Sequence, residues 1–528
     1  MATVASLRTR DMRGVRYPST RARMRPTGLD RLTSVRGTPT ARLGPTKLYY
    51  DPVAILQGDH CWYLPTEGAS HGVPCEPITC VQFDGVRGRE QRMACAGESG
   101  CVTISNPARC WTESVHTIAR AENTIYDLCW SDQGRVLGTA MAGGICRLWN
   151  IERTLPLVDL TCSEPDDFHA IRLSFKTIRR CPGQPSLYLA SSRDGSVSLF
   201  DIREARKTSA TATNAAGMGH HVSGTTPVLR YANIHQPKHA PKLRKSRRSG
   251  LRPNVSHGVT SAVFGSADGM GTIYTSGASD GLVKAWDLRH FDQAGSPSSG
   301  SHGSKCPTPV VEFSEPPAER GYFSANTTPG TVARRPVQEV SGKRAHGVSS
   351  IDVDPTYTRL LVSYVYRSMV VYDLAGRGVG NNEVNVPTQY TTPQYSCKSF
   401  YVKSSWTSDG EYILSGSSDG LGYIFKRATS GTNTVLPSAI LSAGTNENDD
   451  ISTLAAPKTG NSMKDLELLV SASCESSACL KAWQLSSHIR RGKEDSYNNS
   501  RKRGSGGTAS LYRTPVRRYR MNETNANT

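Results

Sequence analysis

Hydrophobic and polar positions along this chain recur as one unit: an apolar run, a second run ending in small residues, a polar turn, then a third run ending in an aromatic and often Asp. The clearest copy reads VTSAVF (Val259 to Phe264), IYTSGASDG (Ile273 to Gly281) and LVKAWDLR (Leu282 to Arg289). Further copies end in RLWNIE (Arg147 to Glu152), SLFDIR (Ser198 to Arg203), VVYDLA (Val370 to Ala375), YIFKRA (Tyr423 to Ala428) and KAWQLS (Lys481 to Ser486). The first and weakest copy ends in CVTIS (Cys101 to Ser105). Short runs rich in β-branched and aromatic residues and bounded by Gly, Asp and Ser predict strands. Asp194-Gly195, Asp280-Gly281 and Asp419-Gly420 supply residues that tolerate positive φ, as tight hairpins between strands require. The aromatic that follows, at Trp149, Phe200, Trp286, Phe425 and Trp483, is placed to pack between neighbouring sheets.

One such sheet cannot bury both faces alone, so the copies must stack, and closing them into a ring removes the exposed ends of a linear array. The predicted fold class is all-β, a seven-bladed WD-repeat β-propeller with disordered basic tails and insertions. Its expected limits are residues 47–487, between a basic arm over 1–46 and a basic tail over 488–528. Mobile insertions are expected at about 206–256 and 292–345, where Ala, Thr, Ser, Pro and Gly crowd together. An open sandwich or two separate β domains are the alternatives, but no linker divides the copies into two self-sufficient sets.

Charge changes the picture at the ends. Lys and Arg number 63 against 45 Asp and Glu, a net charge of +18, and the excess gathers in the first and last segments of the chain. Such arms favour an anionic neighbour. The 14 cysteines lie mainly in strand-like runs, as at Cys80, Cys95, Cys129 and Cys146. Cys75 with Cys80, and Cys474 with Cys479, have no nearby His cluster, so no zinc site is expected. No run approaches the roughly 20 apolar residues of a membrane span, and no signal-peptide core is present; the expectation is a soluble intracellular protein without a membrane partner. The leader also looks like a mitochondrial transit peptide, but Pro18 and Pro26 interrupt its helix. No nucleophile elbow, zinc-protease pair or phosphate-binding loop is found, and the 13 His residues are scattered. His220-His221 falls in the first insertion. The chain is expected to be non-enzymatic, without a cofactor.

Three segments narrow the reading further. SFYVKSSWTSDGEYILSGSSDGLGYIFK (Ser399 to Lys426), TIYDLCWSDQGRVLGTAMAGGICRLWN (Thr124 to Asn150) and SGASDGLVKAWDLR (Ser276 to Arg289) together resemble the denticleless family, whose members are substrate receptors of cullin-4 RING ubiquitin ligases. The resemblance implies a platform that binds the ligase adaptor by one surface and a substrate degron by another. It implies substrates that are chromatin- or sliding-clamp-associated replication proteins, and a chain monomeric within a larger complex. By the same resemblance, adaptor binding falls to strand ends of the WDxR type, here Trp286, Asp287 and Arg289, with Asp201 and Arg203 in the preceding copy. Phe200 stands there where the pattern prefers Trp. Trp286 and the turn aspartates Asp194, Asp280 and Asp419 also have an ordinary role in fixing the repeat.

The run containing Lys242, Arg244, Lys245, Arg247 and Arg248, and the later Arg490, Arg491, Arg501, Lys502 and Arg503, suit nuclear import or non-specific DNA contact through phosphates. The expected location is the nucleus, with the cytoplasm second. Thr514 precedes Pro515 in a proline-directed phosphorylation pattern. The sequence shows no clamp-binding peptide in 488–528. Two rival readings remain open: a WD-repeat scaffold of another nuclear assembly, and a basic nucleic-acid-binding propeller protein.

Overall fold

The computed structural model describes residues 50–57, 77–86, 92–106, 116–120, 123–162, 174–213, 219–235, 257–269, 271–289, 308–314, 316, 346–374, 387–428, 432–442, 450–473 and 479–485. These form seven sheets, the seven blades of a β-propeller, each built on four antiparallel strands. Blades one to six begin at Ile78–Phe83, Ile125–Ser131, Phe175–Arg180, Val259–Phe264, Val348–Val353 and Ser404–Trp406. Blade seven is composite. Its strands Ile451–Ala455, Leu468–Ser473 and Cys479–Leu485 are completed by Tyr50–Gln57, which pairs antiparallel with Cys479–Leu485. Strands from opposite ends of the described chain thus share one sheet, and the ring is closed by backbone hydrogen bonds rather than by packing alone.

The core is a set of seven clusters, each between two consecutive blades. Trp149 of blade two packs with Ala94, Val102 and Ile104 of blade one. Phe200 packs with Cys129, Ala140 and Leu148 of blade two, and Trp286 with Leu187, Leu189 and Val197 of blade three. Tyr372, Phe425 and Trp483 do the same against blades four, five and six. The seventh cluster joins Val470, Ala472 and Leu480 to Val81, Phe83 and Met93 of blade one. A middle strand such as Leu187–Ser192 is buried along its whole length, which is why it reads as an unbroken run and not as an alternation. The small residues ending these strands are steric necessities. At Gly416 a Cβ would stand 2.0 Å from the Ile451 carbonyl of the next blade.

Parts of both expected insertions are strand. After Asp201 the chain forms a hairpin, Arg206–Thr213 with Gly219–Thr225, and the second strand pairs in parallel with Leu155–Thr161 of blade two. It then returns to complete blade three with Leu229–Tyr231. His220 and His221 therefore lie in a strand, not in a loop. In the second segment Val311–Ser314 is the outer strand of blade four. Composition misled here because outermost strands bury little and so carry few apolar residues. Outside the β-structure, the described residues include one helical turn, Ser462–Asp465, and 3₁₀ turns at Asp132–Gly134 and Ile202–Glu204. Among the described residues no helix is long and apolar enough to cross a membrane, and no group of three or more His, Cys, Asp or Glu is placed to hold a metal ion.

Candidate docking faces of the propeller

Antiparallel order within each blade fixes two rims. The turns joining first to second and third to fourth strands lie on one rim; those joining second to third strands, and the crossovers between blades, lie on the other. Arg203 and Arg289 follow third strands and share the first rim, here the arginine rim. Asp194, Asp280 and Asp419 sit in second-to-third turns on the opposite, crossover rim.

The two arginines are held in the same way. The backbone N–H and Nε of Arg203 donate to Asp201 Oδ1, both at 3.0 Å, and its Nη2 donates to Oδ2 at 2.6 Å. For Arg289 the matching bonds to Asp287 are 2.9, 3.0 and 2.8 Å. Both carboxylates are sheltered, while the arginine side chains are 61% and 73% exposed. Burial alone would raise Asp201, but the bonds from Arg203 outweigh it and hold its carboxyl below the usual range. Each arginine is pushed up by its aspartate. One edge of each guanidinium is thus fixed and the other faces outward, a preformed fork for a carboxylate or carbonyl on a partner. Asp201 and Asp287 act as positioning residues here, since their oxygens are spent on the arginines.

Trp286 belongs elsewhere. Sequence reasoning groups it with the adaptor-binding residues, but it is 2% exposed and its indole N–H donates to Thr275 Oγ1 at 2.8 Å. Thr275 Oγ1 lies 2.9 Å from His235 Nε2, and His235 Nδ1 lies 2.8 Å from Asp280 Oδ2. Burial lowers the His235 pKa despite Asp280, so the imidazole is neutral: Nδ1–H donates to Asp280 and Nε2 accepts from Thr275. Asp280 also accepts from the Leu282 N–H at 3.2 Å. Gly277 is required beside this chain, because a Cβ would stand 1.9 Å from Asp280 Oδ1. The four side chains lock third strand, second strand, turn and crossover together.

His235 escapes sequence reasoning because the long segment before Val259 separates it from the strand it serves. The other repeat residues use shortened versions of the same lock. The Trp149 indole donates to Thr139 at 3.2 Å, and that of Trp483 to Ser471 at 3.1 Å. Phe200 has no N–H, and in its blade Asp194 pairs instead with Arg230 at 2.9 Å. Asp419 accepts from the Tyr423 hydroxyl at 2.6 Å. The basic residues Lys242, Arg244, Lys245, Arg247, Arg248, Arg490, Arg491, Arg501, Lys502 and Arg503, and Thr514, lie outside the described residues.

A channel of about 1720 Å³ runs between the innermost strands. Near its crossover end Asp127 of blade two is buried and pairs with Arg179 of blade three and, at 3.2 Å, with Lys403 of blade six. Burial would raise Asp127, but these two cations outweigh it and hold the carboxyl down. Lys403 also donates to the Tyr126 carbonyl at 2.6 Å, and the rings of Tyr126 and Tyr401 stack with centroids 6.3 Å apart. Blades two and six are thereby joined across the axis.

Comparison with known proteins follows the same architecture. The WD domain, G-beta repeat model matches residues 112–150, which run into the third strand of blade two. Denticleless protein homolog from Danio rerio is 24% identical over 384 residues, covering 71% of this chain and 48% of the relative. The chain is a denticleless-related WD-repeat protein. Denticleless protein homolog from Homo sapiens is likewise 24% identical, over 68% of this denticleless-related chain and 41% of its own length. The chain thus spans about half the length of the curated relatives it matches, or less. Among solved structures, the Cps50 (Swd1) β-propeller domain of Myceliophteria thermophila aligns with a TM-score of 0.49 and 14% identity, covering 83% of this chain and 100% of that one.

Proposed function

We propose that this chain is the substrate-recognition subunit of a cullin-4 RING ubiquitin ligase. The observation that carries the reading is the pair of arginines, Arg203 and Arg289, held on consecutive blades by the same aspartate geometry and exposed on one rim. Denticleless relatedness supplies the partner class. The arginine rim docks the ligase adaptor, and the substrate is held so that its lysines meet a charged ubiquitin-conjugating enzyme. The chain itself makes and breaks no bond; its contribution is to raise the effective concentration of substrate at the ligase. The substrates are chromatin- or sliding-clamp-associated replication proteins carrying a degron, and the place of action is the nucleus. The basic runs at 242–248 and 490–503 serve import or contact DNA phosphates without reading sequence.

Affinity capture from nuclear extract tests this. Tagged wild-type chain recovers the cullin-4 adaptor, and the Arg203→Ala, Arg289→Ala double variant loses that recovery. Recovery unchanged in the double variant would remove the docking residues from the account. Absence of the adaptor from the wild-type capture would favour a scaffold of another assembly.

A further inference from the structure

The crossover end of the channel carries chemistry that adaptor docking on the opposite rim does not use. In six of the seven innermost strands the register slips next to the second residue: between Ile78 and Cys80, Ile125 and Asp127, Phe175 and Thr177, Val259 and Ser261, Val348 and Ser350, and Ile451 and Thr453. Bulges of this kind re-aim a side chain at the rim of a barrel or ring. The skipped residues are Thr79, Tyr126, Lys176, Thr260, Ser349 and Ser452, and Lys403 holds the corresponding place in blade six. Four of these positions are Ser or Thr, whereas Tyr126, Lys176 and Lys403 place an aromatic and two cations there.

Lys403 is engaged by Asp127, but among the described residues no carboxylate pairs with Lys176 or with the exposed Lys398. Lys176 Nζ stands 3.2 Å above the Tyr126 ring. Burial, followed by Arg193 and Lys403, pushes its pKa down to about 8. Lys176, Arg193 and Lys398 all line the same channel. Two exposed aromatics stand on this rim, Phe400 at 45% and Tyr366 at 67%. Tyr366 adopts φ +63°, a left-handed conformation that is costly for a bulky residue and concentrates at ligand clamps.

We propose that the crossover mouth of the channel binds an acidic peptide segment, with Lys176, Arg193 and Lys398 receiving its carboxylates and Phe400 and Tyr366 flanking it. Arg193 and Lys403 already press their charge on the half-buried Lys176, and an anion entering the mouth relieves that repulsion. A single-stranded nucleic acid fits less well, because Tyr126, the aromatic inside the channel, is already engaged by Tyr401 and Lys176, which leaves only the two rim aromatics for its bases. The site lies on the rim opposite Arg203 and Arg289, so it stands whether or not the ligase reading does.

The test is fluorescence anisotropy with the full chain and a labelled peptide of alternating Glu and Ser, beside its Gln counterpart. The Glu peptide should bind and the Gln peptide should not. Arg193→Ala combined with Lys398→Ala should weaken binding about tenfold or more, as expected for lost charge-assisted bonds. Lys176→Met, which keeps the stem and removes the charge, should do likewise, with circular dichroism confirming the fold. Arg203→Ala with Arg289→Ala should leave binding unchanged. Equal binding of Glu and Gln peptides, or no binding of either, overturns the proposal. Glu binding that persists in the mouth variants also overturns it, by locating the contact in the basic ends. So does an oligothymidylate that binds more tightly than the Glu peptide and is lost in the same variants.

Discussion

His235 has both ring nitrogens engaged inside the core, so removing the imidazole takes one buried partner from Asp280 and one from Thr275. Leaving buried polar groups unsatisfied costs about 1–3 kcal/mol, and urea unfolding of His235→Ala should show a loss in that range. The pH dependence has a definite sign. Burial lowers the folded pKa of His235 below its ordinary 6.5, so between these values the unfolded chain binds the extra proton. Stability should therefore fall as pH drops below about 6.5, and the wild-type advantage over His235→Ala should shrink from pH 7 to pH 5. Trp286, Asp280 and Gly277 are legible in the sequence as a repeat unit, because their spacing within one hairpin is short. His235 is not, since its partner Asp280 lies 45 residues later. The burial of Trp286 shows the limit of reading WDxR as a surface motif: the Asp and Arg of the pattern face the rim while the Trp faces the neighbouring blade.

At the scale of elements, the repeated strands were predictable from periodicity, and the Asp-Gly turns adopt positive φ at Gly195, Gly281 and Gly420. Strands at the outer edges were not, since Arg206–Thr213 and Gly219–Thr225 read as a polar insertion. Pairing across the channel was equally hidden, because Asp127 and Lys403 are 276 residues apart. That contact gives a prediction for the inner strands. Asp127→Asn takes from Arg179 and Lys403 the carboxylate they share, and breaking such a largely buried pair costs up to about 3 kcal/mol. The measurement is chemical denaturation, and an unchanged midpoint would show that the bridge carries no weight in holding blades two and six. The closing strand Tyr50–Gln57 gives another. Deleting residues 1–57 exposes the edge of Cys479–Leu485, and an unpaired edge invites association; size-exclusion chromatography should show the truncated chain in larger species than the intact chain forms.

For the whole molecule, the seven interblade clusters make the ring a rigid frame, and function is assigned to its two rims. A rim is a set of turns contributed by different blades, so its composition is scattered through the sequence. The arginine rim was reachable only because its DxR strand ends repeat in two successive blades. The crossover mouth was not, because Lys176, Arg193 and Lys398 belong to different turns and meet only in the ring. Arg203 and Arg289 are exposed and make their ion pairs with the neighbouring Asp201 and Asp287, so replacing both with Ala should lower the thermal midpoint only slightly. The decisive measurement is therefore a binding titration of purified cullin-4 adaptor against the folded chain. The account predicts saturable binding to wild-type protein, and a loss of at least tenfold in affinity for the Arg203→Ala, Arg289→Ala variant at closely similar thermal stability. No binding to wild-type protein, or equal binding to both, would contradict it.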